Sequence, residues 1–318
     1  MTPVQKKSFF THVREFAFLL LIIFLIRTFG FGLYQVPTGS AETTMLVGEG
    51  FFADKLTYWL RKPRRGEIIS LNDVTFKYSS NPFKRLFQFY VWGPTNVTKR
   101  LIAVPGDTIQ GVIEDGKTAV YLNGKKLDEP YLNKYPLIAV YESDPQQLYK
   151  KYEKEGLKYV LSGQATIQDL QNFAEQQAKH SARWKTYDPS KPFDQQPFYT
   201  IKENLVRKDK NGSIKLRQPG TPLKKCKQFH QGKSYWNGSD EFYVELGENQ
   251  YWGMGDNREG SCDCRFFGPI DGSLIHGRMV FRIWSVDSAH QWVIFDFLAN
   301  PINFVKRIRW SRWLQFIH

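Results

Sequence analysis

Cysteine is scarce in this 318-residue chain. The three present, Cys226, Cys262 and Cys264, cannot make a disulfide framework, and their spacing matches no four-ligand zinc pattern. One bridge at most is possible. Cys262 and Cys264 stand too close in sequence for a comfortable one, Cys226 is an available partner for either, and free thiols are the simpler expectation. Long blocks of single-sign charge and zinc-finger spacings are also missing, so a nucleic-acid partner has only net charge behind it and none is expected. The N-terminal apolar run, Phe16 to Ile26, has 11 residues, short of the ~20 that cross a bilayer unaided. Little of the chain shows sustained 3.6-residue periodicity, which argues against a helical bundle.

What is abundant is aromatic residues, with Phe 25, Tyr 16 and Trp 9. That mixture suits strands and membrane-interface contacts. The net charge of +13 calls for an anionic partner, and membrane headgroups fit better than nucleic acid. After Met45 the chain runs in short β-type segments punctuated by glycine and proline, such as Glu67-Ile68-Ile69-Ser70-Leu71 and Asn96 to Val104 closed by Pro105-Gly106-Asp107. These predict a mainly β, antiparallel body.

The N-terminal run gains length if Arg14 and Arg27 snorkel to opposite interfaces. Ser8 to Phe31 then spans the bilayer with aromatic residues at both ends. No small-x-small cleavage site directly follows, so the segment reads as an uncleaved anchor. Lys6, Lys7 and Arg14 hold its N-terminus in the cytoplasm and send everything after about residue 34 outside.

Three stretches carry chemistry. Pro37-Thr38-Gly39-Ser40 follows the anchor and presents a serine on a glycine-containing turn. Lys99 stands at the head of the apolar run Leu101 to Val104. A free lysine amine, pKa ~10.4, is unprotonated in about one molecule in 2,500 at neutral pH, but an apolar pocket lowers that pKa by several units and makes the amine a base. The third stretch, Gln250 to Gly268, is polar and glycine-rich between aromatics, the composition of a loop built by specific hydrogen bonds.

Taken in order, these stretches resemble the bacterial type I signal peptidases, membrane-anchored serine proteases with a Ser/Lys dyad. The likeness rests on Pro37-Thr38-Gly39-Ser40, on Lys99-Arg100 leading into Pro105-Gly106-Asp107, and on Gly255-Asp256-Asn257-Arg258 through Ser261, Asp263 and Arg265. Weaker likenesses at Arg27-Thr28-Phe29, Gly66 to Ile69, Val120 to Leu127 and Gly277-Arg278 extend it over about residues 16 to 130 and 240 to 312. The resemblance implies Ser40 as nucleophile and Lys99 as general base. It implies that Thr38 joins the Ser40 N–H in holding the oxyanion, that Ser261 orients the Lys99 amine, and that Asp263 and Arg265 form a supporting ion pair. Tyr34, Val36, Pro37, Met45, Val97 and Thr98 would line a shallow pocket for small side chains. No metal or other cofactor is implied; the partners would be signal peptides of secretory precursors and the lipid bilayer of the bacterial cytoplasmic membrane, with the catalytic part on the outer, periplasmic side. Nothing fixes an oligomeric state, and a monomer is expected.

Departures from the family pattern are Ala41 for a usual Met, Thr43 for a usual Pro and Cys264 for a common Ser. The expected organisation is residues 1–33 tail and anchor, 34–129 first part of the β core, 130–240 an inserted α+β subdomain, and 241–318 the rest of the core with a membrane-proximal end. Within the insert, Thr166 opens a helix through Phe173, Ala174 and Ala178. The C-terminal Trp, Phe and Arg residues suit either a membrane interface or a last strand with outward-facing arginines. Two competitors stand beside the signal-peptidase reading: a Ser/Lys self-cleaving protease of the repressor type, which the anchor argues against, and a degenerate membrane protein that binds signal peptides without cutting them.

Overall fold

The computed structural model describes residues 9–115, 117–142, 144–217, 229–231, 233–288 and 293–317. Cys226 with its neighbouring lysines, and Trp292, lie outside the described residues.

Helix α1 (Phe9–Leu25) ends in a wider π turn over Ile26–Gly30. Together these 22 residues have mean hydropathy 2.0 and are long enough to cross a membrane, and α1 itself has no buried residue. The chain then enters β1 (Phe31–Gln35), β2 (Glu49–Asp54), the short α2 (Thr57–Leu60), β3 (Ile68–Asn72), α3 (Pro82–Tyr90) and β4 (Asn96–Ala103). Pro105-Gly106-Asp107 turns it out of that sheet into β5 (Thr108–Glu114), β6 (Lys117–Leu122) and β7 (Lys125–Lys126). The next segment holds β8 (Leu137–Tyr141), α4 (Pro145–Leu161), α5 (Ile167–His180) and β9 (Ala182–Thr186), followed by β10 (Phe229–Gln231) and β11 (Ser234–Trp236). Last come β12 (Phe242–Glu245), β13 (Gln250–Met254), α6 (Cys264–Phe267), β14 (Ile270–Asp271), β15 (Ile275–Ser285), α7 (Val293–Ala299), α8 (Pro301–Lys306) and β16 (Gln315–Phe316).

The protein is mainly antiparallel β. The larger sheet runs β1-β2-β15-β3-β4-β13-β14 with β16 on β15, the smaller runs β10-β11-β12-β5-β6-β7, and β8 and β9 form a separate pair to which Val206 and Leu216 add single bridges. Between the two large sheets lies the main core, where Trp252 of β13 stacks on Phe242 of β12 at 5.1 Å and both are fully buried. Strand β3 is covered on both faces, so its apolar residues do not alternate with polar ones. Ile69 and Leu71 face the main core, while Ile68 faces a second cluster with Val36, Ala41, Met45, Phe51, Ala53 and Met279. Ser40 is thus carried on the rim of one cluster, and Lys99 on a strand that borders both.

Thr166 does cap α5, in a complete capping box with Asp169. The insert has a second helix that sequence reading did not expect. Helix α4 is rich in Lys, Glu and Tyr, so its apolar stripe is thin, and packing on α5 supports it. The 130–240 segment is seated on the β core: Ile138, Val140, Phe198, Tyr199, Ile201 and Val206 enclose Leu46, six residues beyond Ser40 in the chain. At the C-terminus the arginines turn inward. Arg307 grips Asp296 with two bonds of 2.8 and 2.9 Å, Arg309 reaches the Val47 carbonyl at 3.1 Å, and Arg312 reaches Glu49 at 2.6 Å. Asp296 and Glu49 draw Arg307 and Arg312 inward, which corrects the expectation of a last strand with outward-facing arginines.

Because Trp252 bridges the two sheets, Trp252→Ala should cost about 3–5 kcal/mol. Thermal unfolding in detergent would show this as a large fall in midpoint; an unchanged midpoint would mean the sheets are joined elsewhere.

Candidate active site

The turn Gly39–Ala41 is a single 3-10 turn entered from extended backbone at Thr38. It exists because the neighbouring loop supplies its hydrogen bonds. Asn257 donates from its side chain to the Gly39 carbonyl at 2.9 Å and from its backbone to the Ser40 carbonyl at 3.2 Å. The two loops meet at Gly255, where an added Cβ would stand 2.4 Å from the Ser40 carbonyl oxygen and 2.3 Å from Ser261 Oγ. Only glycine lets them approach so closely. Ser40 is half-buried on this turn, and Thr38 is exposed beside it.

Lys99 is held on β4 opposite Ile69 of β3, and β4 packs against the serine turn. Its side chain is 2 % exposed, and its amine donates to Ser261 Oγ at 3.1 Å. Among the described residues no hydrogen bond joins Lys99 to the Ser40 hydroxyl; catalytic hydrogen bonds commonly tighten only once substrate is bound. Burial pushes the Lys99 pKa below its ordinary value, with Arg265 acting in the same sense, while the negative charge of Asp263 opposes them. Asp263 is fully buried and takes two bonds of 2.8 Å from Arg265, from Nε and Nη2, with a third of 3.0 Å from the Gly255 N–H. Burial alone would raise its pKa, but Arg265 first, then Lys99 and the Gly255 N–H, hold it below the ordinary carboxylate value. The second carboxylate on Arg265 is Asp240, at 2.5 Å. Ser261, Asp263, Arg265 and Lys99 therefore form one connected group.

Tyr34, Val36 and Met45 meet in the second apolar cluster, beside Ala41. Val97 packs against the main core instead, Thr98 is half-buried opposite Ser70, and Pro37 is exposed. The Tyr34 hydroxyl lies 3.2 Å from Nε2 of His276, which burial takes down to about pKa 4. At the sequence departures, Ala41 is buried in the cluster, and the Thr44 carbonyl next to Thr43 accepts from Arg282 at 2.7 Å and Arg312 at 3.0 Å. Cys264 accepts the Gly253 N–H at 3.1 Å, and burial pushes its thiol well above the usual range, which makes it inert. Cys262 is exposed. Among the described residues no group of three or more His, Cys, Asp or Glu side chains is placed to hold a metal ion.

Some contacts around the site escape sequence reading. Asp256, itself part of the Gly255-Asp256-Asn257-Arg258 motif, takes two bonds from the buried Arg100, of 2.9 and 2.8 Å, and one of 2.6 Å from Thr44. Glu42, 2 % exposed, reaches into the insert to Thr186 and Tyr199. An acidic residue two places after Ser40 was the one available signal.

A desolvated amine beside hydroxyls on a glycine-shaped loop is the equipment of a lysine-assisted serine hydrolase. The sequence model of the signal peptidase, peptidase S26, family matches residues 9–284, and the chain belongs to that family. It is 24 % identical over 287 residues to a signal peptidase I of Buchnera aphidicola from Schizaphis graminum, covering 88 % of this chain and 76 % of the relative. It is 25 % identical over 309 residues to signal peptidase I of Aquifex aeolicus, covering 92 % and 90 %. Signal peptidase I T of Bacillus subtilis is 34 % identical over 115 residues, or 36 % of this chain and 49 % of that one. A crystal structure of a signal peptidase I from Enterococcus faecalis aligns over 69 % of this chain and 97 % of its own, at 16 % identity and a TM-score of 0.24. The protein is a serine peptidase of signal-peptide processing, and its apolar N-terminal helix fits a membrane-anchored enzyme.

Removing Asp263 would leave a buried guanidinium with one carboxylate and orphan the Gly255 N–H. Asp263→Ala should therefore destabilise the fold by about 3–5 kcal/mol, more than Asp240→Ala, which spares the bidentate partner. Chemical denaturation of both variants in detergent tests the order; the reverse order would make Asp240 the principal counter-charge.

Proposed function

We propose that this protein is a membrane-bound serine endopeptidase that removes N-terminal signal peptides after small-x-small sites, with Ser40 as nucleophile and Lys99 as general base. The observation that carries the reading is the wholly buried Lys99 amine, held by Ser261 on a strand packed against the serine turn. Neutral Lys99 takes the Ser40 proton as Oγ bonds to the scissile carbonyl carbon. The oxyanion that results is held by the Ser40 N–H and the Thr38 hydroxyl. Lys99 returns the proton to the departing amine, the C–N bond breaks, and the acyl-enzyme remains. Water, deprotonated by the same amine, then bonds to the ester carbonyl carbon, the bond to Oγ breaks, the signal peptide leaves as a carboxylic acid, and the proton held by Lys99 returns to Ser40.

Specificity in this reading comes from the cluster of Tyr34, Val36, Ala41 and Met45, with Pro37 and Thr98 at its rim, while Val97 packs on the main core. A shallow apolar pocket admits alanine and excludes large side chains. Asp263 and Arg265 keep Ser261 and Lys99 in place.

The same reading puts α1 across the cytoplasmic membrane, N-terminus inside, with the catalytic body outside and low over the lipid. Helix α3 supports this position. Phe29, near the end of the span, contacts Trp59 and Tyr90, with ring centroids 5.9 and 5.7 Å away. Phe83, Leu60 and Trp92 are 82 %, 89 % and 79 % exposed. Lys84 and Arg85 on the same helix complement anionic headgroups. In proteoliposomes, brominated lipid should quench a component of tryptophan emission that Trp92→Phe removes; equal quenching in both proteins would lift α3 off the bilayer.

Ser40→Ala and Lys99→Ala should each abolish cleavage of a purified precursor, and full turnover in either would refute the dyad. A protonated amine cannot accept the serine proton, so kcat/KM should rise with pH through a Lys99 titration lying below the ordinary lysine value. A rise beginning only at the ordinary value, about 10.4, would contradict the buried base.

A further inference from the structure

Three residues of the inserted segment converge on the turn that carries Ser40. The Glu42 carboxyl lies directly against that turn: a Cβ added at Gly39 would stand 2.9 Å from both Cδ and Oε1 of Glu42. Its Oε2 accepts from the Thr186 hydroxyl at 2.5 Å and from the Tyr199 hydroxyl at 3.3 Å. The Thr186 hydroxyl also accepts from Asn133 Nδ2 at 3.2 Å, and that same nitrogen donates to Asn257 Oδ1 at 3.1 Å. Asn257 in turn holds the carbonyls of Gly39 and Ser40. The contacts close into a ring from Glu42 through Thr186, Asn133 and Asn257 back to Gly39 and Ser40.

Every member of this ring is buried or partly so, and a buried polar network with one partner missing is costlier than none. Burial pushes the Glu42 carboxyl up to about pKa 7, against the bonds from Thr186 and Tyr199 and the nearby charges of Lys185 and Arg309. The donors that satisfy this buried carboxyl, Thr186 and Tyr199, both come from the 130–240 segment. Leu46, gripped by the insert's apolar residues, anchors the same segment a turn further on.

We propose that Glu42 is a positioning residue for the serine and that the inserted segment is a working part of the active site. Thr186, Tyr199 and Asn133 fix the Glu42 carboxyl and the Asn257 amide on two sides of the Gly39–Ser40 peptide, and so set the direction in which the nucleophile points. The proposal rests on the reading of Ser40 as nucleophile. Its effect belongs to kcat, because the ring aims the reacting oxygen without lining the pocket for the substrate side chains.

The test is steady-state cleavage of a precursor with a small-x-small site by the full-length protein in detergent, with melting curves for each variant. Thr186→Val keeps the side-chain shape and removes the hydroxyl; it should lower kcat about tenfold or more with KM within about twofold. Glu42→Ala should do the same, and Glu42→Gln, which keeps an accepting oxygen, should recover most of the rate. The double variant Thr186→Val with Glu42→Ala should be no slower than the slower single one, since both break one ring. Should Thr186→Val unfold, Tyr199→Phe supplies the milder probe, with an expected kcat loss of about two- to fivefold. Wild-type kcat in folded Glu42→Ala and Thr186→Val proteins, or losses that multiply independently, would overturn the proposal. Ser40→Ala in the same assay separates the two readings: if it is inactive while the ring variants are normal, the dyad stands and the insert's role falls, and if it is active both fall.

Discussion

A primary amine with almost no solvent around it is the constraint on which the rest of the architecture turns. Leaving a lysine ammonium in such a place is expensive, and the cost is relieved by giving up the proton. The bulged pairing of β13 with β4, which brings Gly253 against Lys99, and the Ser261 loop leave the amine almost no solvent. The Asp263–Arg265 pair gives the loop its rigidity without delivering a net charge to the amine. Burial is the largest influence on the amine and prevails over the opposing charge of Asp263, with Arg265 acting in the same sense as burial.

Around this centre the molecule is tied together by charges that are buried in pairs. Arg100 with Asp256 and Arg282 with Glu49 join segments far apart in the chain, while Arg265 bonds both its near neighbour Asp263 and Asp240 a little earlier in the chain. Such pairs add little net stability over apolar packing, but breaking one is severe, so they fix a single arrangement. The C-terminal segment takes part through Arg312, which bonds Glu49 and the Thr44 carbonyl just beyond the serine. The insert takes part through the ring at Glu42. The short serine turn is thus determined from the loop that carries Asn257, from the insert and from the C-terminus, a degree of support its own three residues cannot supply.

The antiparallel body, the apolar anchor and the Thr166 cap were legible because each is written in local pattern: short β runs with glycine and proline between them, a hydrophobic stretch between arginines, a Thr-x-x-Asp box. Ser40, Lys99 and Ser261 stood out through motif order and through residue types at odds with their surroundings. Glu42, Asn133, Thr186 and Asp240 did not, because their meaning lies in partners more than a hundred residues away or, for Asp240, across a loop whose path has no sequence signature. Helix α4 was hidden by a surface-rich composition. The C-terminal arginines read as solvent-facing because nothing in their own segment discloses Glu49 or Asp296.

The central claim is that burial makes the Lys99 amine give up its proton well below the ordinary lysine value. It is tested most directly by NMR titration of protein labelled at lysine Cε, with the Lys99 resonance identified by its loss in Lys99→Ala. The account predicts that this one resonance titrates well below the ordinary lysine value of about 10.4, apart from the bulk. A Lys99 signal that moves together with the surface lysines would leave Ser40 without a base and contradict the account.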